Sequence, residues 1–106
     1  MHEVPEPDHQ LKVPVVQRPA YTLTLERGTK CHTFVHCDVH VRWTKVAKQQ
    51  LLDDLKTLKS LHVHPIYAIH GADNLKLGKF IRSLGFAYNI SYVDALSGHL
   101  THIYSI

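Results

Sequence analysis

Apolar and polar residues alternate with a period of two at several places along the chain, and two stretches between them carry a helical period. Leu11–Arg18 (LKVPVVQR) has strand-like residues, and Pro14, which cannot donate to a ladder, confines it to a sheet edge. Tyr21–Glu26 (YTLTLE) alternates, and the turn Arg27-Gly28-Thr29-Lys30 after it predicts a hairpin, with Gly28 free to take a positive φ. Cys31–Val41 (CHTFVHCDVHV) is the strongest strand. Thr33, Val35, Cys37, Val39 and Val41 form its core face, and His32, Phe34, His36, Asp38 and His40 form the other.

Thr44 then reads as an N-cap. Ala47, Leu51, Leu55 and Leu58 follow as one apolar stripe, widened by Leu52 and Leu61, so a helix should run to about Leu61. Pro65–His70 (PIYAIH) is a short, nearly continuous apolar run, as expected of a strand buried on both faces and ended by Gly71. Asp73 or Asn74 caps a second helix with Leu77, Phe80, Ile81 and Leu84 inward. Gly85 and Phe86 stand where a C-terminal glycine and its apolar contact belong. Ala87–Asp94 and His99–Ile106 are strands joined by the turn Ala95-Leu96-Ser97-Gly98.

The expected fold is therefore α/β with a mixed sheet, in the order β-β-β-α-β-α-β-β. The strands flanking the first helix should be parallel neighbours. Residues 1–20, with Pro5, Pro7, Pro14 and Pro19, are expected as an extended N-terminal arm, and residues 21–106 as a single domain.

Composition narrows the function classes. The chain has 106 residues and 44% hydrophobic content, enough for one core and too much for a disordered chain. No apolar run nears the roughly 20 residues of a membrane span, and MHEVPEPDHQ lacks the apolar region of a signal peptide, so a cytoplasmic setting is expected. The net charge of +3 suits a small polyanion and does not by itself point to nucleic acid. Cys31 and Cys37 on one strand lie roughly 20 Å apart, too far for a disulfide, so both are expected as thiols. His36 and His40 on a regular strand lie about 13 Å apart and cannot share a metal ion, and no metal is expected. His99 and His102, three apart, face opposite ways.

Two motifs carry a resemblance. Arg42-Trp43-Thr44-Lys45-Val46-Ala47 is similar to the Arg/Gln-x-x-Gly-x-Gly/Ala loop of the GNAT superfamily of N-acetyltransferases, in which backbone N–H groups hold the coenzyme-A pyrophosphate. Asn74, Gly85 and Phe86 match the family's Asn-x-x-Ala-x-x-Leu-Tyr-x-x-x-Gly-Phe helix. The resemblance covers about residues 31–106. Lys45 stands in place of the central glycine, and Ile81 in place of the tyrosine that protonates the leaving thiolate.

The resemblance implies acetyl-CoA as cofactor, bound by Val39, Val41, Arg42, Thr44, Lys45, Val46, Ala47, Lys48 and Asn74, with backbone N–H groups near Val39–Val41 polarising the thioester carbonyl. It implies an amine acceptor, on a protein or a small molecule. A base among His36, His40 and His70 would take the amine proton, since histidine titrates near neutrality. A hairpin tyrosine, Tyr104 with Tyr88 and Tyr92 beside it, would replace the proton donor missing at Ile81. The family's acceptor wall, a strand and two helices, has no counterpart in the residues before Cys31, which show no helical period. Small, trimmed proteins of this look are familiar among bacteriophage gene products. The competing expectation is accordingly a non-catalytic pseudoenzyme, a virion or assembly component in the host cytoplasm or the virion. It would act as a homo-oligomer or dock to a phage structural partner through residues 1–20.

Overall fold

The computed structural model describes residues 11–28 and 32–106. The elements follow the expected order: β1 (Leu11–Gln17), β2 (Tyr21–Arg27), β3 (Thr33–Val39), α1 (Lys45–Ser60), β4 (Ile66–Gly71), α2 (Leu75–Ser83), β5 (Ala87–Val93) and β6 (Leu100–Ser105). The strands form one mixed sheet of six in the spatial order β1-β2-β3-β4-β6-β5. β3 and β4 are parallel and every other neighbouring pair is antiparallel. Leu11–Gln17, within the expected N-terminal arm, is thus a strand of the sheet. Pro14 sits where it must, on an edge, and the register slips between it and Val16.

Local chemistry sets each helix end. The Thr44 hydroxyl accepts a hydrogen bond from the Ala47 N–H at 3.1 Å, and the Asn74 side-chain oxygen accepts one from the Leu77 N–H at 3.1 Å. The turn after α2 closes on Gly85 at φ +98°, where a Cβ would be strained. Gly28 does not take a positive φ; among the described glycines only Gly85 and Gly98 do.

Both helices pack on one face of the sheet. The α1 stripe Ala47, Leu51, Leu55 and Leu58 is buried as expected, whereas Leu61, the C-cap, points to solvent. These leucines and α2's Ile81 meet Tyr21, Leu23, Ile66, Ala68 and Tyr104, all on the helix-covered face by the strand registers. The opposite face carries Phe34, His36, Tyr67, Ile69, Ile90 and Ile103, and no element among the described residues covers it.

Two expectations change for that reason. β4 alternates between buried Ile66, Ala68 and His70 and half-buried Tyr67 and Ile69, so it is covered on one side only. On β3 the core face holds Val35 and Cys37. The strand ends at Val39, and Val39 and Val41 are about half exposed where the chain turns toward α1. Cys37 is a free thiol pushed up to about 11 by burial, with the Asp38 charge adding to it. Cys31 and residues 1–10 lie outside the described residues.

Candidate functional site

The β3–β4 ladder is short. It pairs only Thr33 with Ile66 and Phe34 with Tyr67, at the start of β3, and the strands part toward the end from which α1 leaves. Hydrogen bonds from the Gly28 N–H to the His32 carbonyl and from the His40 N–H to the Ala20 carbonyl show that even-numbered β3 residues bond to β2. The odd-numbered backbone groups, those of Cys37 and Val39 included, therefore face the opening toward β4. A cavity of about 200 Å³ occupies this region, its lining including Val35, Cys37, Leu51, Ala68, Phe80 and Ile81.

The start of α1 lies at the open end. The first intrahelical bond runs from the Lys48 N–H to the Thr44 carbonyl, and the Thr44 hydroxyl takes the Ala47 N–H. The N–H groups of Lys45 and Val46 remain for a ligand. The first turn holds no acidic residue, and Arg42, Lys45 and Val46 are exposed while Lys48 is half-buried. A helix N-terminus with three nearby cations suits a polyanion. Trp43 is turned inward, 5.3 Å from Phe80 and 6.0 Å from Tyr21 between ring centres, and closes the helix start over the core.

The remaining candidates divide between the two faces. His36 is on the uncovered face, its Nε2 2.6 Å from Glu26 Oε1. His40 lies just past β3, its Nε2 2.6 Å from the Thr22 hydroxyl. His70 is buried on the helix side, its Nδ1 2.6 Å from the Gly71 carbonyl and its Nε2 3.1 Å from the Tyr104 hydroxyl. The three histidines thus do not form one site, while His70 and Tyr104 do meet. Asn74 is exposed at the start of α2 with its side-chain oxygen committed to the cap. Tyr88 and Tyr92 are about half exposed, and Ile81 is buried in the core.

Three groupings escaped the sequence reading. Glu26 beside His36 was legible in principle, since a hairpin with a short turn aligns Thr24 with His36 and puts Glu26 two residues along on the same face, a diagonal neighbour. Arg18, Tyr21 and Asp54 form a second cluster. The Arg18 guanidinium donates to both Asp54 carboxylate oxygens at 2.7 and 3.0 Å, and the Tyr21 hydroxyl donates to the same carboxylate. The Arg18 bonds hold the Asp54 carboxyl below the usual carboxylate range, against burial, and burial followed by the Asp54 bond pushes the Tyr21 phenol up. The third grouping joins Arg82 to Tyr104 at 2.9 Å. Its 22-residue separation, like the 36 residues between Arg18 and Asp54, left no local signal.

No model of a known protein family matches the sequence, and no curated protein matches it. Among solved structures, the chain is similar to one from Chromobacterium violaceum described as a probable acetyltransferase of the GNAT family. The TM-score is 0.63 and the identity 19%, over 80% of this chain and 48% of that one. A second, from Sphaerobacter thermophilus and described as a candidate acetyltransferase, gives a TM-score of 0.48 and 14% identity over 84% of this chain and 57% of that one. The chain thus spans about half the length of the structures it matches.

The fold is GNAT-like. At this identity the likeness speaks for the fold alone. Among the described residues, no helix is long and apolar enough to cross a membrane.

Proposed function

We propose that the chain binds acetyl-CoA in the opening between β3 and β4 and transfers the acetyl group to an amine. The observation that carries this reading is the parting of two parallel neighbours over an apolar cavity, with one strand's backbone groups facing the gap and a basic helix start at its open end. The residues present fit such a cofactor by their chemistry. Apolar walls suit its pantetheine arm. The free N–H groups of Lys45 and Val46, with Arg42, Lys45 and Lys48, suit its pyrophosphate. Two N–H groups and three cations here stand in for the glycine-lined loop that the Lys45 side chain replaces.

When bound, the cofactor supplies an activated acyl carbon. The chain's own contributions to the step are two. Backbone N–H groups at Cys37 and Val39 are donors for a developing oxyanion. His36 is the base: Glu26 accepts a hydrogen bond from its Nε2–H, leaving Nδ1 to take the proton of an incoming amine. The Cys37 thiol, pushed up to about 11, stays protonated at neutral pH and is no nucleophile. Ile81 donates no proton, and the Tyr104 hydroxyl is engaged by His70 and Arg82.

A second reading drops the chemistry, leaving a non-catalytic GNAT-fold binding or assembly module. Ile81 in the core and the uncovered sheet face favour it.

Titration with acetyl-CoA, followed by thermal unfolding, decides the first point. A ligand held only by the folded state adds about 2.7 kcal/mol at a hundredfold excess over its Kd, and Lys45→Glu should abolish most of that shift. Thiol release in the presence of a panel of amines decides the second, with His36→Gln expected to keep binding and to lose about 10²-fold or more in rate. No stabilisation at millimolar acetyl-CoA would sink the first reading and leave the second.

A further inference from the structure

On the far side of α2 from the proposed cleft, a groove of about 230 Å³ lies between that helix and the β5–β6 hairpin, lined by Leu75, Gly78, Arg82 and Tyr88 with His70, His102 and Tyr104. Nothing in acetyl transfer uses it. We propose that it is a binding site for a small oxyanion, a carboxylate or phosphate group, held by Arg82 and His102.

The case rests on where hydrogen-bond donors are left over. His70 and Tyr104, 5% and 3% exposed, anchor the floor. The short contact from His70 Nδ1 to the Gly71 carbonyl makes that nitrogen the protonated one, so Nε2 accepts from the Tyr104 hydroxyl. The Tyr104 oxygen then accepts from Arg82 Nη1 at 2.9 Å. Each buried polar group on the floor is satisfied, and the series ends at a guanidinium with further N–H groups to give. No carboxylate among the described residues pairs with Arg82.

A second series runs along the hairpin wall. The Tyr88 and Ser91 hydroxyls are 2.6 Å apart, and the Ser91 hydroxyl bonds His102 Nδ1. The His102 Nε2 takes no partner among the described residues. The groove therefore offers a guanidinium and an imidazole, while none of its lining residues carries a carboxylate. That combination selects against cations and for an anion, and a planar guanidinium is well matched to two oxygens of one group.

Gly78 gives the groove its room. A Cβ at that position would stand 2.8 Å from His70 Nε2 and 3.4 Å from Arg82 Nη1, in the space across which Arg82 reaches Tyr104. The bland alternative is an arginine that merely bolts the last turn of α2 to β6. It predicts a stability loss on substitution and no ligand.

The test is amide NMR on the full chain, titrated with sodium acetate and, separately, with inorganic phosphate. Chloride at matched ionic strength is the control, up to about 50 mM. The expected result is saturable shifts at Gly78, Tyr88, Ser91 and His102, and the salt that produces them names the ligand source. They should weaken about tenfold in Arg82→Gln and less in Arg82→Lys. His102→Gln, which removes no floor residue, gives the same reading if the Arg82 variants fail to fold. Saturable shifts confined to the start of α1, no saturable shift with either salt, or binding unchanged in Arg82→Gln and His102→Gln would each overturn the proposal.

Discussion

Single side chains in this protein take their roles from neighbours distant in sequence. Asp54 lies one residue beyond the exposed Asp53, and the connection from β1 to β2 brings Arg18 and Tyr21 to it. Its folded pKa is held below the ordinary 3.8, first by the Arg18 bond. A depressed carboxylate stabilises the fold fully above its unfolded value, and that stability is lost as pH falls through the folded value. Asp54→Asn should therefore lower the urea midpoint at pH 7 and flatten the decline that the unsubstituted protein shows below pH 3.8. Equal acid-limb slopes for the two proteins would contradict the assignment.

Gly78 is another residue whose role is visible only in three dimensions. Glycine inside a helix costs roughly 1 kcal/mol against alanine. Alanine here would press on His70, whose two ring nitrogens are both bonded. Gly78→Ala should accordingly destabilise by about 1–2 kcal/mol in spite of its better propensity. In a His70→Ala background the same substitution should become neutral or stabilising, as a denaturant double-mutant cycle would reveal.

At the scale of elements, the sequence was most informative where the physics is local. The leucine stripe of α1, the caps Thr44 and Asn74, Gly85 after α2 and the edge position of Pro14 all depend on residues within a few positions of one another. They appear in the structure, with Asn74 rather than Asp73 as the second cap and Leu61 outside the buried stripe. Thr44→Ala should cost about 1 kcal/mol, measured by chemical denaturation, because the Ala47 N–H loses its acceptor. Where the reading slipped, a long-range term decided. Strand β3 stops at Val39 because its pairing with β2 runs out there, Val39 standing opposite Tyr21 at the start of β2, so the continued alternation through Val41 has no partner strand. The apolar run of β4 suggested two covered faces, but coverage is a property of what packs from elsewhere, and here the helices supply one side only.

On the scale of the whole molecule, the protein is a two-layer structure with its core between one sheet face and two helices. Truncations should sort by layer. Leu51→Ala, at a fully buried position, should cost about 2–5 kcal/mol. Ile90→Ala on the uncovered face, where the side chain is 58% exposed, should cost below about 1 kcal/mol. Comparable losses at both sites would mean that the open face is covered in solution. Of the candidate site, the basic residues at the start of α1 could be read directly, because helix polarity and side-chain charge are local. The parting of β3 and β4 could not, since it depends on how far two strands 33 residues apart in register stay paired.

The sequence by itself determined which segments become strands and helices, their order, and the basic start of α1. Periodicity, capping and turn chemistry act over a few residues. Only the tertiary structure decided that β3 and β4 separate over a cavity, that among the described residues both helices lie on one sheet face, and that Glu26, Asp54 and Arg82 find His36, Arg18 and Tyr104. Each of these depends on contacts between elements, whose geometry is settled when the layers pack.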